Sequence, residues 1–585
     1  MKKLTGLFLL NILLSVMVNA AEWQWSVPVR GGKTHTDARA WLWVPPSCQK
    51  IRAVIVAQNN MEELSILENA AFRRSMGELG FAEVWVSPPF DHTFRFTEGA
   101  GDVFNTMMNL LADTSGYTEL RYSPVVGIGH SAAASWPYYF AAWNPARSLA
   151  CVSVSGQWPY FRHPDFAPDI WGRDRNIDHI PSLETMGEYE AADTWSAEGL
   201  LERQAHPLMP LSMLACPAEG HFAASQQKID YIAYFIRKAA EYRLPIHYDP
   251  LKGPPSLRPI DPIRTGWLMD RWRYQEPPLA PPAPVEKYRG DPQQAFWFFD
   301  SAMVRATEKY ESLWREEKAP LLGYVQEGKV VQQRNTHLQV HLKFLPEEDG
   351  VSFVLKGVYL DTVPGESPRP AAWTGLPAGS RIGHPAGAGV AAGVRADVGM
   401  GEGVGVNAGA DTGEVAGANA RAIHIDRVIG PFAKINDTMF RISMEKEVVG
   451  DARNYTLTFA AGYSGDAVYK PAVQQAEMVI PAKNTEGVAQ HITFLAIGDH
   501  VRHGSHGAHG ALVKLGAISS AGLPVHYYVR EGPAEIRGDA LYFTAIPPRS
   551  RYPIRVTVVA WQYGRRSAPA VATAPSVEQT FHIYK

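Results

Sequence analysis

The stretch GHSAAASWPYYF, residues 129–140, contains the serine on which the interpretation of this chain depends. The run before it, VVGIG, is short, apolar and rich in glycine, which is typical of a buried strand. After Ser131 come small residues and then aromatic residues at helical spacing. A strand, a sharp turn with serine at its apex and a helix form a nucleophile elbow. Gly129 and Ala133 suit such a turn, because the strand and the helix pass close together there.

Seven short apolar runs alternate with helical patterns over residues 21–244, which we take as the catalytic domain. The runs are ARAWLWV (38–44), IRAVIVA (51–57), AEVWVSP (82–88), VVGIG (125–129), ACVSVSG (150–156), SLETMGE (182–188) and LSMLAC (211–216). The helical patterns cover residues 67–79, 103–111 and 226–240. Strands that alternate with helices predict a mostly parallel sheet with helices on both faces. In such sheets, the functional residues gather where the strands end.

Three chemically reactive residues follow three of these strands. Ser131 follows 125–129, Glu190 lies in the turn GEYE after the strand that begins at 182, and His221 lies in PAEGHF after 211–216. In this order the set resembles the α/β-hydrolase superfamily, which places a nucleophile after strand five, an acid in a turn one or two strands later, and a histidine after the last strand. The resemblance covers residues 21–245 and implies an α/β-hydrolase fold with serine hydrolase activity. Two departures are the acid, which is more often aspartate, and Ala133, where glycine is commoner.

The three residue types fit nucleophilic catalysis. A serine hydroxyl is a weak nucleophile until a neutral imidazole accepts its proton, so His221 is the expected base for Ser131. Glu190 is expected to fix the imidazole tautomer and to stabilise the charged ring. Other acids remain open, namely Glu188, Asp193, Asp165 and Asp169.

An oxyanion intermediate needs hydrogen-bond donors that are already in place. The backbone N–H of Ala132, directly after the nucleophile, is the first expected donor. The loop QNNMEE after 51–57 supplies the second, for which the N–H groups of Asn60 and Met61 are the candidates.

Two further loops at this edge are rich in aromatic residues, arginine and histidine. They read PFDHTFRFTEGAG and QWPYFRHPDFAPDIWG. Trp158 and Tyr160 are candidates to stack on a sugar ring, and Arg95 is a candidate partner of a uronate carboxylate. The alternative is that these side chains pack the loops themselves.

The remainder of the chain changes character. Residues 245–290 are proline-rich and predict a linker, and 291–314 predict an amphipathic helix that opens a β-rich domain over 291–489. Within it, 371–420 hold 13 glycines and many alanines, which predicts a flexible insertion. Residues 490–585 contain GLPVHYYVREGPAEIRGDALYFT, YPIRVTVVAWQYG and VEQTFHIYK, which are short strands separated by Gly, Pro and Asp turns. These runs resemble the immunoglobulin-like repeats of exported bacterial proteins, which implies a β-sandwich.

The N-terminus predicts export. MKK is followed by an apolar run at 7–18 and by VNA before Ala21, so residues 1–20 read as a signal peptide. No cysteine follows the expected cleavage site and no later apolar run reaches the ~18 residues of a membrane span. We therefore expect a periplasmic or secreted protein without a membrane anchor. Cys48, Cys151 and Cys216 allow one disulfide or none.

Composition and motifs narrow the function classes. A net charge of −3 gives no reason to expect nucleic acid as a partner. The sequence lacks H-E-x-x-H, a Walker A loop and a dinucleotide fingerprint, so no cofactor or metal is expected. Histidines at every third position in 500–509 lie among glycines and are not assigned to a metal site.

The sequence therefore predicts an exported serine hydrolase, most simply an esterase that removes acetyl, methyl or feruloyl groups from a polysaccharide through an acyl-enzyme. That substrate class is inferred by analogy with other exported hydrolases that carry β accessory modules. A lipase, peptidase or polyester depolymerase is the alternative enzyme. A glycan-binding protein on an inactive hydrolase scaffold is the alternative from another class.

Overall fold

The computed structural model describes residues 23–160, 175–317, 321–331, 339–355, 358–361, 423–446, 455–465, 469–501 and 512–585. The expected signal peptide, the 371–420 insertion, Asp165, Asp169 and the histidines after His500 in the tail tract lie outside the described residues. Within the described part of the chain, no helix combines the length and the apolar character that a membrane crossing requires.

The first domain is built on an eight-stranded sheet in the order β1-β2-β4-β3-β5-β6-β7-β8. Its strands are β1 Trp25–Pro28, β2 Arg39–Trp43, β3 Ala53–Gln58, β4 Phe81–Ser87, β5 Val125–His130, β6 Ser148–Val154, β7 Ser182–Gly187 and β8 Leu211–Cys216. The pairs β1–β2 and β2–β4 are antiparallel, and β4 to β8 run parallel. The seven predicted strands and the mostly parallel sheet are confirmed, with β1 as an addition.

Helices flank this sheet. They are α1 Glu63–Leu67, α2 Ala70–Leu79, α3 Ala100–Ser115, α4 Trp136–Trp143, α5 Ala192–Ala205 and α6 Gln226–Arg243. Every residue of β3 to β8 is buried. Strands covered on both faces read as continuous apolar runs, which is the pattern seen in the sequence. The arrangement is that of an α/β-hydrolase fold, as the resemblance implied.

Residues 245–311 pack onto the first domain. Short strands β9 Trp267–Asp270, β10 Ala283–Pro284 and β11 Ala295–Phe298 form a small antiparallel sheet, followed by α7 Ser301–Glu311. The prediction of one helix over 291–314 is therefore wrong in its first part. The aromatic strand β11 pairs with β9 and is buried in the hydrophobic core of the first domain. Ser212 Oγ donates a hydrogen bond to the Trp297 carbonyl at 2.5 Å. This packing outweighs the helical spacing of the sequence.

The last residue of α7 makes the stability of the first domain depend on pH. Glu311 is buried, its carboxylate accepts the Ala215 amide at 3.1 Å, and burial raises its pKa to about 8. Because this pKa is higher in the folded than in the unfolded protein, the Glu311 carboxyl contributes its full stabilisation below about pH 4.5. That contribution is lost as the pH rises through 8. At about 1.4 kcal/mol per pH unit, the loss by pH 8 is on the order of 4 kcal/mol.

We expect Glu311→Gln to keep the Ala215 hydrogen bond and to remove this pH dependence. The difference in unfolding free energy, variant minus wild type, should be larger at pH 8 than at pH 5. Calorimetry of the first domain's unfolding transition measures this difference. Glu286→Gln, at an exposed site in the same region, is the control. It should leave the free energy of unfolding unchanged at both pH values. Equal pH dependence in Glu311→Gln and the wild type would contradict the expectation.

A second β-rich unit, here called the middle β-module, comprises the described residues from 321 to 480. Its strands are β12 Leu321–Gln326, β13 Lys329–Val330, β14 Val340–Leu342, β15 Ser352–Val354, β16 Val358–Asp361, β17 Ile423–Ile429, β18 Phe432–Lys434, β19 Met439–Ile442, β20 Thr456–Tyr463 and β21 Ala472–Val479. They form three sheets in the orders β13-β12-β16, β14-β21-β20-β17 and β15-β19-β18. Aromatic contacts join Phe353, Phe432, Phe440 and Phe459 in its core.

The last unit also consists of small sheets with their own core. Its strands are β22 Ile492–Phe494, β23 His500–Val501, β24 Leu512–Lys514, β25 Ala517–Ser519, β26 His526–Glu531, β27 Ala534–Arg537, β28 Ala540–Phe543, β29 Ile554–Trp561 and β30 Val577–Tyr584. All their pairings are antiparallel except that of β23 with β30. The β-rich prediction is confirmed, and the immunoglobulin-like form stays a prediction.

Candidate active site

Ser131 stands at a sharp turn at the end of β5. Its φ is +54°, in the left-handed region that few non-glycine residues adopt. A Cβ at Gly129 would lie 2.0 Å from the Ala133 carbonyl oxygen, so this position requires glycine. A 3-10 turn, Ser131–Ala133, follows, and α4 begins only at Trp136. The turn leaves Ser131 half-buried and held by backbone strain, as a nucleophile elbow requires.

Ser131, His221 and Glu190 form one hydrogen-bonded chain. His221 Nε2 lies 2.9 Å from Ser131 Oγ, and His221 Nδ1 lies 2.6 Å from Glu190 Oε2. The loop after β8 carries the histidine, which is buried, and the turn after β7 carries the glutamate. Because Nδ1–H donates to a carboxylate, Nε2 is left as the acceptor that faces the serine hydroxyl. The structure thus brings together the three residues chosen from the sequence.

The second carboxylate oxygen of Glu190 is fixed as well. Glu190 Oε1 accepts from Ser155 Oγ at 2.7 Å and from the Gly187 amide at 3.1 Å. Burial raises the pKa of Glu190, but the electrostatic interaction with His221 and the hydrogen bonds from His221 and Ser155 outweigh burial and leave the pKa below its ordinary value. Glu190 is therefore held as a carboxylate. Sequence reasoning missed Ser155, although it lies directly after β6 at this same edge.

The alternative acids within the described residues have other partners. The Glu188 carboxylate forms an ion pair with Lys470 and accepts the Ala218 amide. Asp193 is paired with Arg271 at 2.6 Å. The geometry therefore favours Glu190 over both of them as the partner of His221.

The amides of Asn60 and Met61 are not free to bind an oxyanion in this structure. Both donate to Glu63 Oε2 at 2.8 Å, while Glu63 Oε1 accepts the His130 amide at 2.7 Å. Their assignment as the second oxyanion donor is therefore corrected, because a buried carboxylate takes both N–H groups. Ala132 lies half-buried beside Ser131, and its amide remains the candidate donor.

Glu63 connects the loop after β3 to the nucleophile elbow. It is fully buried, and burial raises its pKa to about 7 against the opposing effect of the backbone hydrogen bonds. Sequence reasoning missed this link. The one signal for it is the pair of carboxylates in NNMEE, directly after a buried strand. That signal is weak, because such pairs usually face solvent.

We expect Glu63→Gln to lower kcat by about tenfold or more, because a displaced loop or elbow misplaces the reacting atoms. The glutamine offers one acceptor oxygen, and its NH2 group would face backbone donors. The measurement is kcat and KM on p-nitrophenyl acetate. Glu311→Gln, at a buried carboxyl on α7, serves as the matched control and should keep its kcat. Similar kcat values in both variants would contradict this role for Glu63.

The three predicted substrate contacts have different surroundings. Trp158 is only 1% exposed and stacks between Trp195 and Phe296, so its assignment as a sugar platform is wrong. It fills the core beside β11. Tyr160 stacks on His206 at 3.4 Å between ring centroids, so its ring face is used within the protein.

Arg95 is half-buried and its Nε lies 3.3 Å from Asp91 Oδ1. Asp91 also accepts the backbone amides of Thr93 and Arg95, so the pair organises its own loop. A role of Arg95 toward a uronate carboxylate stays a prediction.

The described residues contain no group of three or more histidine, cysteine, aspartate or glutamate side chains placed to hold a metal ion. His500 packs against Phe543 and Phe581. Cys48, Cys151 and Cys216 are buried free thiols, and burial raises the pKa of Cys48 to about 11 and that of Cys151 to about 12.

Comparison with known proteins gives structural neighbours only. No family model matches the sequence, and no match was found among curated proteins. Est1E from Butyrivibrio proteoclasticus is 14% identical, with 38% of this chain and 100% of that chain covered and a TM-score of 0.27. FphF, a fluorophosphonate-binding serine hydrolase of Staphylococcus aureus, is 12% identical, with 36% and 97% covered and a TM-score of 0.28. A Bacillus cereus carboxylesterase is 12% identical, with 35% and 97% covered and a TM-score of 0.25.

Proposed function

We propose that this protein is a serine hydrolase that cleaves carboxylic esters through an acyl-enzyme. The observation that carries the proposal is the chain of hydrogen bonds from Ser131 through His221 to Glu190. Its support is geometric: the nucleophile stands at a strained turn, the base is within reach of it, and an ionised acid holds the base.

The residues would act in two stages. In the first, Ser131 Oγ attacks the ester carbonyl carbon while His221 Nε2 takes the hydroxyl proton, and Glu190 stabilises the imidazolium. The proton then passes to the leaving alcohol as the C–O bond breaks, which leaves an acyl-serine. In the second stage, His221 Nε2 takes a proton from water, whose oxygen attacks the acyl carbon. The proton then passes to Ser131 Oγ as the acyl–Oγ bond breaks, which releases the carboxylic acid and restores the serine hydroxyl. The Ala132 amide would donate to the oxyanion in both stages.

The substrate we propose is an ester of a polysaccharide, bearing acetyl, methyl or feruloyl groups. Its support is the signal-peptide pattern at residues 1–20, which makes an exported, periplasmic or secreted location the proposed one, and the two β-rich modules that follow the first domain. An immunoglobulin-like form of the last module, which we also propose, would make it a spacer or presenting unit. Nucleic acid is not proposed as a partner.

The test is labelling of the full chain with a fluorophosphonate probe, followed by peptide mapping. We expect the label on the Ser131 peptide and hydrolysis of p-nitrophenyl acetate. A panel of acetylated, methyl-esterified and feruloylated polysaccharides then identifies the ester by the acid or alcohol released. Absence of labelling in the folded protein would overturn the hydrolase proposal. Labelling without release from any polysaccharide would overturn only the substrate proposal.

A further inference from the structure

The middle β-module contacts the first domain at the edge of the sheet where the triad lies. On one side, Ser65 Oγ of α1 donates to the Val428 carbonyl at 3.3 Å. On the same side, Lys446 pairs with Glu68 at 2.8 Å. On the other side, Lys470, Pro471 and Val473 of the module contact the turn after β7 and the loop after β8. These two loops carry Glu190 and His221.

The Glu188 carboxylate links three segments at this second contact. One oxygen is ion-paired with Lys470 Nζ, and the other accepts the Ala218 amide at 2.8 Å. Glu188 lies two residues before the catalytic acid, and Ala218 lies three residues before the catalytic histidine. Both partners of the ion pair are buried, with side chains 4% and 2% exposed. One carboxylate thus joins the two catalytic loops, and its counter-charge comes from another module.

Neighbouring contacts reinforce this junction. Tyr189 is fully buried, and its hydroxyl donates to the Pro471 carbonyl. Its amide donates to the Glu219 carbonyl at 2.9 Å, which joins the two catalytic loops through the backbone. Tyr189 and Ala218 also pack against Val473 of the module.

Ala218 itself is held in an unfavourable conformation. Its φ is +59°, a region that disfavours residues with a Cβ unless surrounding contacts impose it. The hydrogen bond from its amide to Glu188 is one such contact. The loop that presents His221 therefore depends on the Glu188 carboxylate remaining where it is.

We propose that Lys470 is a positioning residue of the active site, which acts through Glu188 to hold the loops of Glu190 and His221 in register. This inference rests on the proposed hydrolase function. Removing Lys470 would leave a buried negative charge without its partner, which is strongly unfavourable, so Glu188 would withdraw toward solvent and release the Ala218 amide. The middle β-module is then part of the catalytic unit and not only an appendage.

The chain offers a matched control in Lys446. Like Lys470, it is a buried lysine of the middle β-module that pairs with a glutamate of the first domain, but its partner Glu68 lies on the other side of the site, directly after α1. We expect Lys470→Met to lower kcat on p-nitrophenyl acetate by about tenfold to a hundredfold at unchanged KM. Lys446→Met is expected to keep kcat within about twofold, since its loss would act on stability alone.

Hydrogen exchange provides a readout that does not depend on activity. In the full-length Lys470→Met protein, peptides covering 187–190 and 216–222 are expected to exchange faster than in the wild type and in Lys446→Met. Unchanged exchange in these peptides, or an equal fall of kcat in the two lysine variants, would overturn the proposal. If the wild-type protein is not labelled by fluorophosphonate, the proposed hydrolase function is wrong. The hydrogen-exchange comparison still tests whether Lys470 positions the two loops.

Two double variants separate positioning from simple loss of stability, and they serve also if Lys470→Met does not fold. Glu188→Gln/Lys470→Met buries no unpaired charge and keeps an oxygen to accept the Ala218 amide, so kcat should recover toward the wild type. Glu188→Leu/Lys470→Met also buries no charge but lacks that acceptor, so kcat should stay low. Equal kcat in the two double variants would show that the link to Ala218 is not what positions the site.

Discussion

Ser131→Ala is expected to lower kcat on p-nitrophenyl acetate by about 10⁵–10⁶-fold, because no other group replaces the nucleophile at the apex of the elbow. Removal of the nucleophile or of the base alone generally costs about as much as removal of the whole nucleophile–base–acid set, whereas removal of the acid alone costs less. Accordingly, Ser131→Ala/His221→Ala should be no slower than Ser131→Ala alone. The measurement is steady-state hydrolysis by protein free of wild-type enzyme, as checked by active-site titration.

Ser135 gives a control within the same stretch. Its hydroxyl donates to Gln157 Oε1 at 3.0 Å and does not contact the triad, so Ser135→Ala should keep kcat within about threefold. The fluorophosphonate label should be lost in Ser131→Ala and retained in Ser135→Ala. Labelling of Ser131→Ala at another residue, with kcat near the wild-type value, would place the nucleophile elsewhere.

The sequence predicts the Ser131–His221–Glu190 set well because each member lies in the turn or loop that follows a strand. Ser131, Glu190 and His221 come after three apolar runs, and parallel strands bring their carboxyl ends to one edge of the sheet. The hydrogen bonds of the triad then follow from local turns. Chain order and strand pattern were therefore sufficient to find it.

What the sequence could not supply depends on burial and on contacts distant in the chain. Trp158 is a residue type that commonly stacks on sugars, yet Phe296 of the strand Ala295–Phe298 covers its ring. Nothing in the sequence near residue 158 predicts that strand. The sequence around Glu63 is typical of a solvated loop, whereas in the structure Glu63 is buried and its carboxylate accepts the amide of His130, directly before Ser131. Lys470 lies 282 residues from Glu188 along the chain, so no local pattern connects them.

Glu190→Gln is expected to lower kcat by about 10³–10⁴-fold while the fold is kept. Glu190 Oε1 accepts from two donors, Ser155 Oγ and the Gly187 amide, so the glutamine oxygen must take that position. Its NH2 group is then directed at His221 Nδ1. The imidazole must accept there and carries its proton on Nε2, where it can no longer take the proton of Ser131. The variant thus removes the base without removing the histidine.

The tautomer argument can be separated from loss of charge alone. Asp193→Asn neutralises another acid of the same segment, one that pairs with Arg271 and not with His221, so its kcat should change by less than about threefold. NMR of ¹⁵N-labelled histidine should show the proton on Nδ1 in the wild type and on Nε2 in Glu190→Gln. A slow Glu190→Gln enzyme with the proton still on Nδ1 would mean that the lost carboxylate charge, and not the tautomer, limits catalysis.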